Sequence, residues 1–304
     1  MKQIKIGGIV PCSAIALGCM RMSGLEDGRV DAIIDCAIEH GINFFDHADI
    51  YGGGDSEIRF GGYLKRRPGI RDKLIIQTKC GICPGYYDFS KEHIIEAAEG
   101  SLKRLGVDHV DLLLLHRPDT LMEPEEVSEA FEILHRSGKV RYFGVSNHNS
   151  GQIELLKTSV NQPLLVNQLQ FSIPEAGLVT SGMNVNMKNG ESVMHDGGLL
   201  EYSRTNNMTI QTWSPFLYGF FSGTFVDNDK FPELNRKLAQ VGEIYDLSKT
   251  AVAAAWILRH PANMQLIAGT MNPEHLADIC AASDVTLSRS QWYEIYRAAG
   301  HTLP

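Results

Sequence analysis

The chain has no long hydrophobic run. Its strongest apolar stretches, Leu112–Leu115 and Ala251–Leu258, fall far short of the roughly 20 residues that a membrane-spanning helix requires. It also has no surplus of positive charge: 28 Lys and Arg against 36 Asp and Glu give a formal net charge of −8. That balance argues against a nucleic acid or an anionic membrane as the main partner. Cysteine is sparse, with Cys12, Cys19, Cys36, Cys80, Cys83 and Cys280 spread over 304 residues, which excludes a disulfide scaffold. Cys80 and Cys83 have CxxC spacing, but no second pair or nearby His pair accompanies them as a zinc site would require. They follow a strand-like run and precede Pro84, whereas a thioredoxin-like pair opens a helix, so they read as two thiols at a strand end. The opening MKQIKIGGIV has no apolar signal region with a small-residue cleavage site, and the expected location is the cytosol.

Several motifs are missing as well. No GxGxxG follows a strand, and there is no Walker A sequence, GxSxG or HExxH. The triple glycine Gly52-Gly53-Gly54 reads as a flexible turn and is only a weak phosphate-binding signal.

What is present is a hydrophobic fraction of 43% and an alternation of apolar strand-like runs with segments of helical period. Strands are expected at Asn43–Asp46, Leu74–Lys79, Val110–His116, Val140–Ser146, Leu165–Gln168, Met208–Trp213 and Gln265–Ala268. Helices are expected near Val30–His40, Ser90–Leu105 with Ser90 as N-cap, Glu123–Arg136, Ser150–Thr158 and Ser290–Ala299. Repeated strand-then-helix units imply a parallel sheet, either doubly wound or closed as an eightfold barrel. The length suits the (β/α)8 barrel better, and no linker divides the chain, so one domain over residues 1–304 is expected. The long connection from Phe171 to Gly198, rich in Gly, Asn and Met, is expected to be a lid or binding loop. Together with Cys83–Phe89 and Arg117–Glu123, it is where substrate specificity is expected to lie.

The unusual feature is that polar residues terminate apolar strands. Asp46 ends Asn-Phe-Phe-Asp with Tyr51 just beyond; Lys79 ends Leu-Ile-Ile-Gln-Thr-Lys; His116 ends four leucines. Singly, each has an ordinary reading: a His there is a hydrogen-bonded boundary residue, and a strand-end Lys is solvated. In a barrel, however, the C-terminal strand ends converge on one face, where such folds carry their active sites. The four would then meet in one partly buried pocket.

The stretch FDHADIYGGGDSE, with Asp46 and Tyr51, resembles the aldo-keto reductase signature. The resemblance continues in order through IIQTKCG, LLLLHRPD, GVSNH, VNQLQFS, QTWSPF and GTMNPEHL, from Leu17-Gly18 to the C terminus. It implies the eightfold barrel and NAD(P)H-dependent reduction of a small-molecule aldehyde or ketone. Tyr51 would be the general acid, Lys79 would lower its pKa, Asp46 would hold Lys79 charged, and His116 would orient the carbonyl and assist proton delivery. For the cofactor, the resemblance implies Ser146, Asn147 and Gln168 at the nicotinamide carboxamide and Trp213 on the ring face. Ser214, Phe216 and Gly219 would follow the pyrophosphate, and Gly269, Thr270, Met271, His275 and Asp278 the adenosine end. Relatives that prefer NADPH carry Lys or Arg in the loop after the last strand, whereas residues 269–275 here hold no permanent cation. A modest NADPH preference with usable NADH is therefore expected, growing as His275 is protonated. Two rival readings are a Schiff-base aldolase using Lys79 and a nucleotide-sensing regulatory subunit on the same barrel.

Overall fold

A computed structural model describes residues 1–304. Eight parallel strands close into a barrel: β1 (Ile15–Gly18), β2 (Phe44–Asp46), β3 (Ile75–Cys80), β4 (Val110–Leu115), β5 (Val140–Ser146), β6 (Leu164–Gln170), β7 (Thr209–Trp213) and β8 (Met264–Ala268). Closure brings β8 beside β1, with Ala268 opposite Leu17. The strands expected from the sequence are all present within two residues of their predicted ends. The one not foreseen is β1, four residues with no polar terminator to mark it.

The crossovers are helical. They comprise α1 (Asp27–Glu39), α2 (Asp55–Arg66), α3 (Lys91–Leu105), α4 (Pro124–Arg136), α5 (Ser150–Lys157), α6 (Gly177–Met183) and α7 (Leu199–Thr205). After these come α8 (Pro232–Tyr245), α9 (Lys249–Leu258), α10 (Pro273–Ala281) and α11 (Arg289–Ala298). None is long and apolar enough to cross a membrane. Their starts follow from local chemistry. Ser90 accepts from the His93 amide as α3 begins, and Asn149 with Gln152 forms a capping box on α5. Prolines open α4, α8 and α10, where the missing N–H has no partner to lose.

Inside the barrel, an apolar cluster that includes the N-terminal hairpin stands beside a polar network. A hairpin of Gln3–Ile6 and Val10–Ser13 precedes it, and Ile6, Val10 and Cys12 pack with Ala16, Phe44, Leu112, Leu114, Val166 and Ile267. The Gly7 amide and the Asn263 side chain both donate to Thr209 Oγ1, at the start of β7, at 3.0 Å. The N-terminal mouth is thus plugged, and side chains at the C-terminal strand ends form the only wide opening. Around the outside, 70 buried residues join barrel and helices in one apolar layer. Within it, Trp256 and Trp292 stack at 4.6 Å, and each indole N–H donates to the other's backbone carbonyl at 3.0 Å.

The connection from 171 to 198 departs from expectation. Phe171, Ile173, Ala176, Leu178 and Val179 are buried, and these apolar anchors fold it against the barrel's side, where it borders a separate cavity of about 350 Å³. It does not line the main cavity.

Helices α2 and α3 approach closely at Gly61, where a Cβ would fall 2.6 Å from the Arg104 carbonyl oxygen and 2.7 Å from that of Leu105. Both obstacles are backbone, so neither can swing aside. Gly61→Ala is expected to destabilise the fold by about 1–3 kcal/mol, the usual cost of overpacking. Chemical denaturation of both proteins checks this; unchanged stability would show that the helices part without cost.

Candidate active site

The sequence places a cation, an anion and a phenol at strand ends, and barrel closure decides what they touch. Lys79, near the end of β3, is completely buried. Its Nζ lies 2.8 and 2.9 Å from the two Asp46 carboxylate oxygens. It also donates to the His47 carbonyl at 2.8 Å and to Tyr51 Oη at 3.1 Å. Three donors meet three partners, so the ammonium is fully satisfied. Because Tyr51 Oη accepts from Lys79, its own hydrogen is left to donate into the cavity. The His116 ring lies edge-on to Tyr51, 6.0 Å between centroids, and its Nδ1 is buried without a partner.

Electrostatics correct one expectation. Burial pushes the Tyr51 pKa above its ordinary value; Lys79 pulls it back, and Asp46 opposes Lys79, so the net direction is upward. The lowered phenol pKa expected from the ammonium alone is not found. Burial likewise favours neutral Lys79, but the charges of Asp46 and Tyr51 outweigh it and its pKa rises. His116 is pushed well below the ordinary imidazole range by burial, then by Lys79 and Arg117. A neutral ring can still donate one N–H to an acceptor in the cavity.

Polar residues inside the barrel hold the pair in place. Asp46 Oδ1 accepts from Gln77 Nε2 at 2.6 Å and from Gln168 Nε2 at 3.1 Å. Gln211 exchanges bonds with Gln77 and reaches Gln265 at 2.8 Å. Three of these glutamines, Gln77, Gln211 and Gln265, were not foreseen as site residues. A signal was available: Gln77 lies two before Lys79 and Gln211 two before Trp213, and strand side chains two apart share a face.

A cavity of about 1420 Å³ opens above this network. Asp46, Tyr51, His116, Ser146, Asn147, Gln168, Trp213, Ser214, Phe216, Gly269, Thr270, Met271, His275 and Asp278 all line it. Two expected residues do not. Lys79 stands behind Tyr51, and the Gly219 amide is taken by Glu175 Oε1 at 2.6 Å. Of the expected specificity loops, only Tyr87 and Arg117 reach the cavity, together with neighbouring Ile82; Phe220 and Phe221 supply the aromatic wall instead.

The amide cluster is already tied together. Asn147 Nδ2 donates to Ser146 Oγ at 2.7 Å, and Trp213 Nε1 donates to Asn147 Oδ1 at 3.0 Å. Asn147 and Ser214 both have left-handed φ, at 60° and 53°. Such conformations cost energy in non-glycine residues and collect at functional sites.

Two groups beneath the site, one buried and one half-buried, escaped notice in the sequence. His47 has no partner at either ring nitrogen, and burial, then Lys79, lowers its pKa to about 3. Asp49 Oδ1 is also unpartnered, and burial, then the charge of Glu57, raises its pKa to about 7. A carboxyl with a higher pKa folded than unfolded contributes stability that is whole below the unfolded value and lost as pH rises through the folded one. Asp49→Asn stays neutral throughout. Its stability relative to the parent is therefore expected to improve between about pH 5 and pH 8. Melting temperatures at the two pH values check this, and a constant difference would show that Asp49 does not titrate there.

Comparison with known proteins fits this geometry. The sequence profile of the aldo/keto reductase family matches residues 14–299. The chain is 35% identical over 313 residues to the 6-dehydroglucose reductase of Agrobacterium fabrum, covering 98% of each. It is 36% identical over 283 residues to the oxidoreductase YdhF of Escherichia coli, covering 90% of this chain and 88% of that one. Among solved structures, an aldo/keto reductase from Klebsiella pneumoniae in complex with NADP and acetate superposes with a TM-score of 0.80 at 23% identity. It covers 100% of this chain and 96% of its own, and it supports the barrel. The chain belongs to the aldo/keto reductase family.

Proposed function

We propose that this chain reduces an aldehyde or ketone to the alcohol with a nicotinamide cofactor, NADPH in preference to NADH. The observation that carries the reading is the Asp46–Lys79–Tyr51 chain of contacts, which ends in a phenol with a free hydrogen at the cavity wall. The cavity exceeds the roughly 300–1,000 Å³ of ordinary ligand pockets, as a dinucleotide plus substrate requires. Its linked amides and Trp213 fit a flat carboxamide-bearing ring. When bound, the cofactor supplies a hydride to the carbonyl carbon.

The chain's own residues do the rest. Tyr51 delivers a proton to the carbonyl oxygen as negative charge develops there. Lys79 stabilises the phenolate left behind, since a buried ammonium 3.1 Å from Oη acts across a medium that screens little. Asp46 keeps Lys79 charged and aimed. Neutral His116 donates a hydrogen bond to the carbonyl oxygen and orients it. Ser146, Asn147 and Gln168 would hold the cofactor's carboxamide, and Trp213 would cover its ring.

The aldolase alternative is disfavoured. Lys79 has every N–H engaged, its pKa is raised, and it does not reach the cavity, so a neutral nucleophilic amine is absent.

Tyr51→Phe removes the proton and one of the three acceptors of the Lys79 ammonium, and about 100- to 10,000-fold of turnover should vanish while cofactor binding persists. A mutant keeping more than about a tenth of wild-type turnover in a chemistry-limited assay would take the role from Tyr51. The pH profile follows from the same groups. With Tyr51 shifted up and His116 down, kcat/KM for reduction should be flat from about pH 6 to pH 9 and fall only beyond. A decline centred near pH 6.5 would assign the proton to an imidazolium instead.

A further inference from the structure

The segment from Gly269 to His275 holds no permanent cation, yet the wall facing it does. Arg21, just beyond β1, lines the main cavity beside Gly269, and its Nη1 donates to the Gly269 carbonyl at 3.0 Å. This contact spans 248 residues of sequence because β1 and β8 are neighbours in the closed barrel. Arg21 forms no ion pair with any carboxylate. One of its five N–H donors is used at Gly269, and the rest remain for a ligand.

The position of the guanidinium is specific. A Cβ built on Gly269 would meet Arg21 Nη1 at 3.1 Å and no other group within 4 Å. Arg21 therefore occupies the space into which a side chain at 269 would project. The backbone of Gly269 lies outside the left-handed region, so glycine is not required there by conformation. Absence of a side chain at 269 and presence of an arginine in its place are complementary features of one wall.

We propose that Arg21 reads the 2′-phosphate of NADPH, supplying from the first βα connection the cation that the last one lacks. The inference rests on the reading that the cavity holds a nicotinamide dinucleotide. A guanidinium matches the planar fork of phosphate oxygens and remains charged at any working pH. Glu274 and Asp278, whose charges oppose a phosphate, and His275 line the same cavity; Asp278 is already engaged by Ser248 Oγ at 2.6 Å. Arg29, on the first turn of α1, is the other cation on that wall.

The test uses binding and needs no turnover: calorimetric titration of the full chain with adenosine 2′,5′-bisphosphate and with 5′-AMP. The parent should favour the bisphosphate. Arg21→Ala should weaken the bisphosphate by about 10- to 100-fold and change 5′-AMP by less than about twofold. Arg21→Lys should retain part of the preference. Adding Gly269→Lys to Arg21→Ala should restore much of it, because the new side chain enters the vacated space. Between about pH 7 and pH 8, where the phosphate monoesters remain dianionic, the parent's ratio should stay level.

Equal weakening of both probes would place Arg21 on the 5′-phosphate and overturn the proposal. So would loss of preference in Arg29→Ala, or in His275→Ala, with Arg21→Ala unchanged. A parent that binds both probes equally overturns this proposal alone. A parent that binds neither and reduces no carbonyl with either cofactor overturns the oxidoreductase reading beneath it.

Discussion

Everything at the open end of the barrel depends on burying one ammonium. Desolvating Lys79 is affordable only because Asp46 lies within 3 Å with both oxygens and because the remaining lone pairs of that carboxylate are met by Gln77 and Gln168. Removing either charge would leave its partner buried and unpaired, which is far more costly than never having had the pair. The glutamine network is thus part of the ion pair, and Leu112 and Leu114 pack at the same levels of the barrel as Gln77 and Lys79.

The phenol is fixed by steric means as much as by Lys79. Tyr51 starts a turn in which Gly52, Gly53 and Gly54 all have left-handed φ. A Cβ on Gly52 would lie 2.3 Å from Ser23, and one on Gly54 would lie 2.7 Å from Arg104. The triple glycine, read from sequence as a flexible turn, is close-packed at Gly52 and Gly54 and open at Gly53. Arg104 in turn bonds the fully buried Glu57 at 2.7 Å, and Glu57 accepts from Thr78 Oγ1 at 2.6 Å. Thr78 neighbours Lys79 in β3, so turn, helix α2 and strand are braced against one another around the site.

Legibility in the sequence followed physical contrast. Strands β2 to β8 stood out as apolar runs between helical segments, and Asp46, Lys79 and His116 stood out because they end three of those runs, with Tyr51 just beyond the first. Strand β1 has no such contrast. The connection from 171 to 198 looked like a loop because Gly and Asn dominate it, but five scattered apolar residues suffice to anchor α6 and the turns around it. The direction of the Tyr51 pKa was unreadable for a different reason. The sign depends on whether desolvation or the ammonium prevails, and burial is a property of the assembled barrel.

The same logic governs charge along the cavity. Sequence motifs are local, and a cofactor loop read by itself reports only the side chains it carries. Closing a sheet into a barrel makes its first and last strands neighbours, so residues at opposite ends of the chain face one another across one groove. A cation absent from one wall can be supplied by the other with no trace in the motif. Arg21 beside Gly269 is placed for such a role, and the complementary pair is visible only once the two side-chain volumes are compared in space.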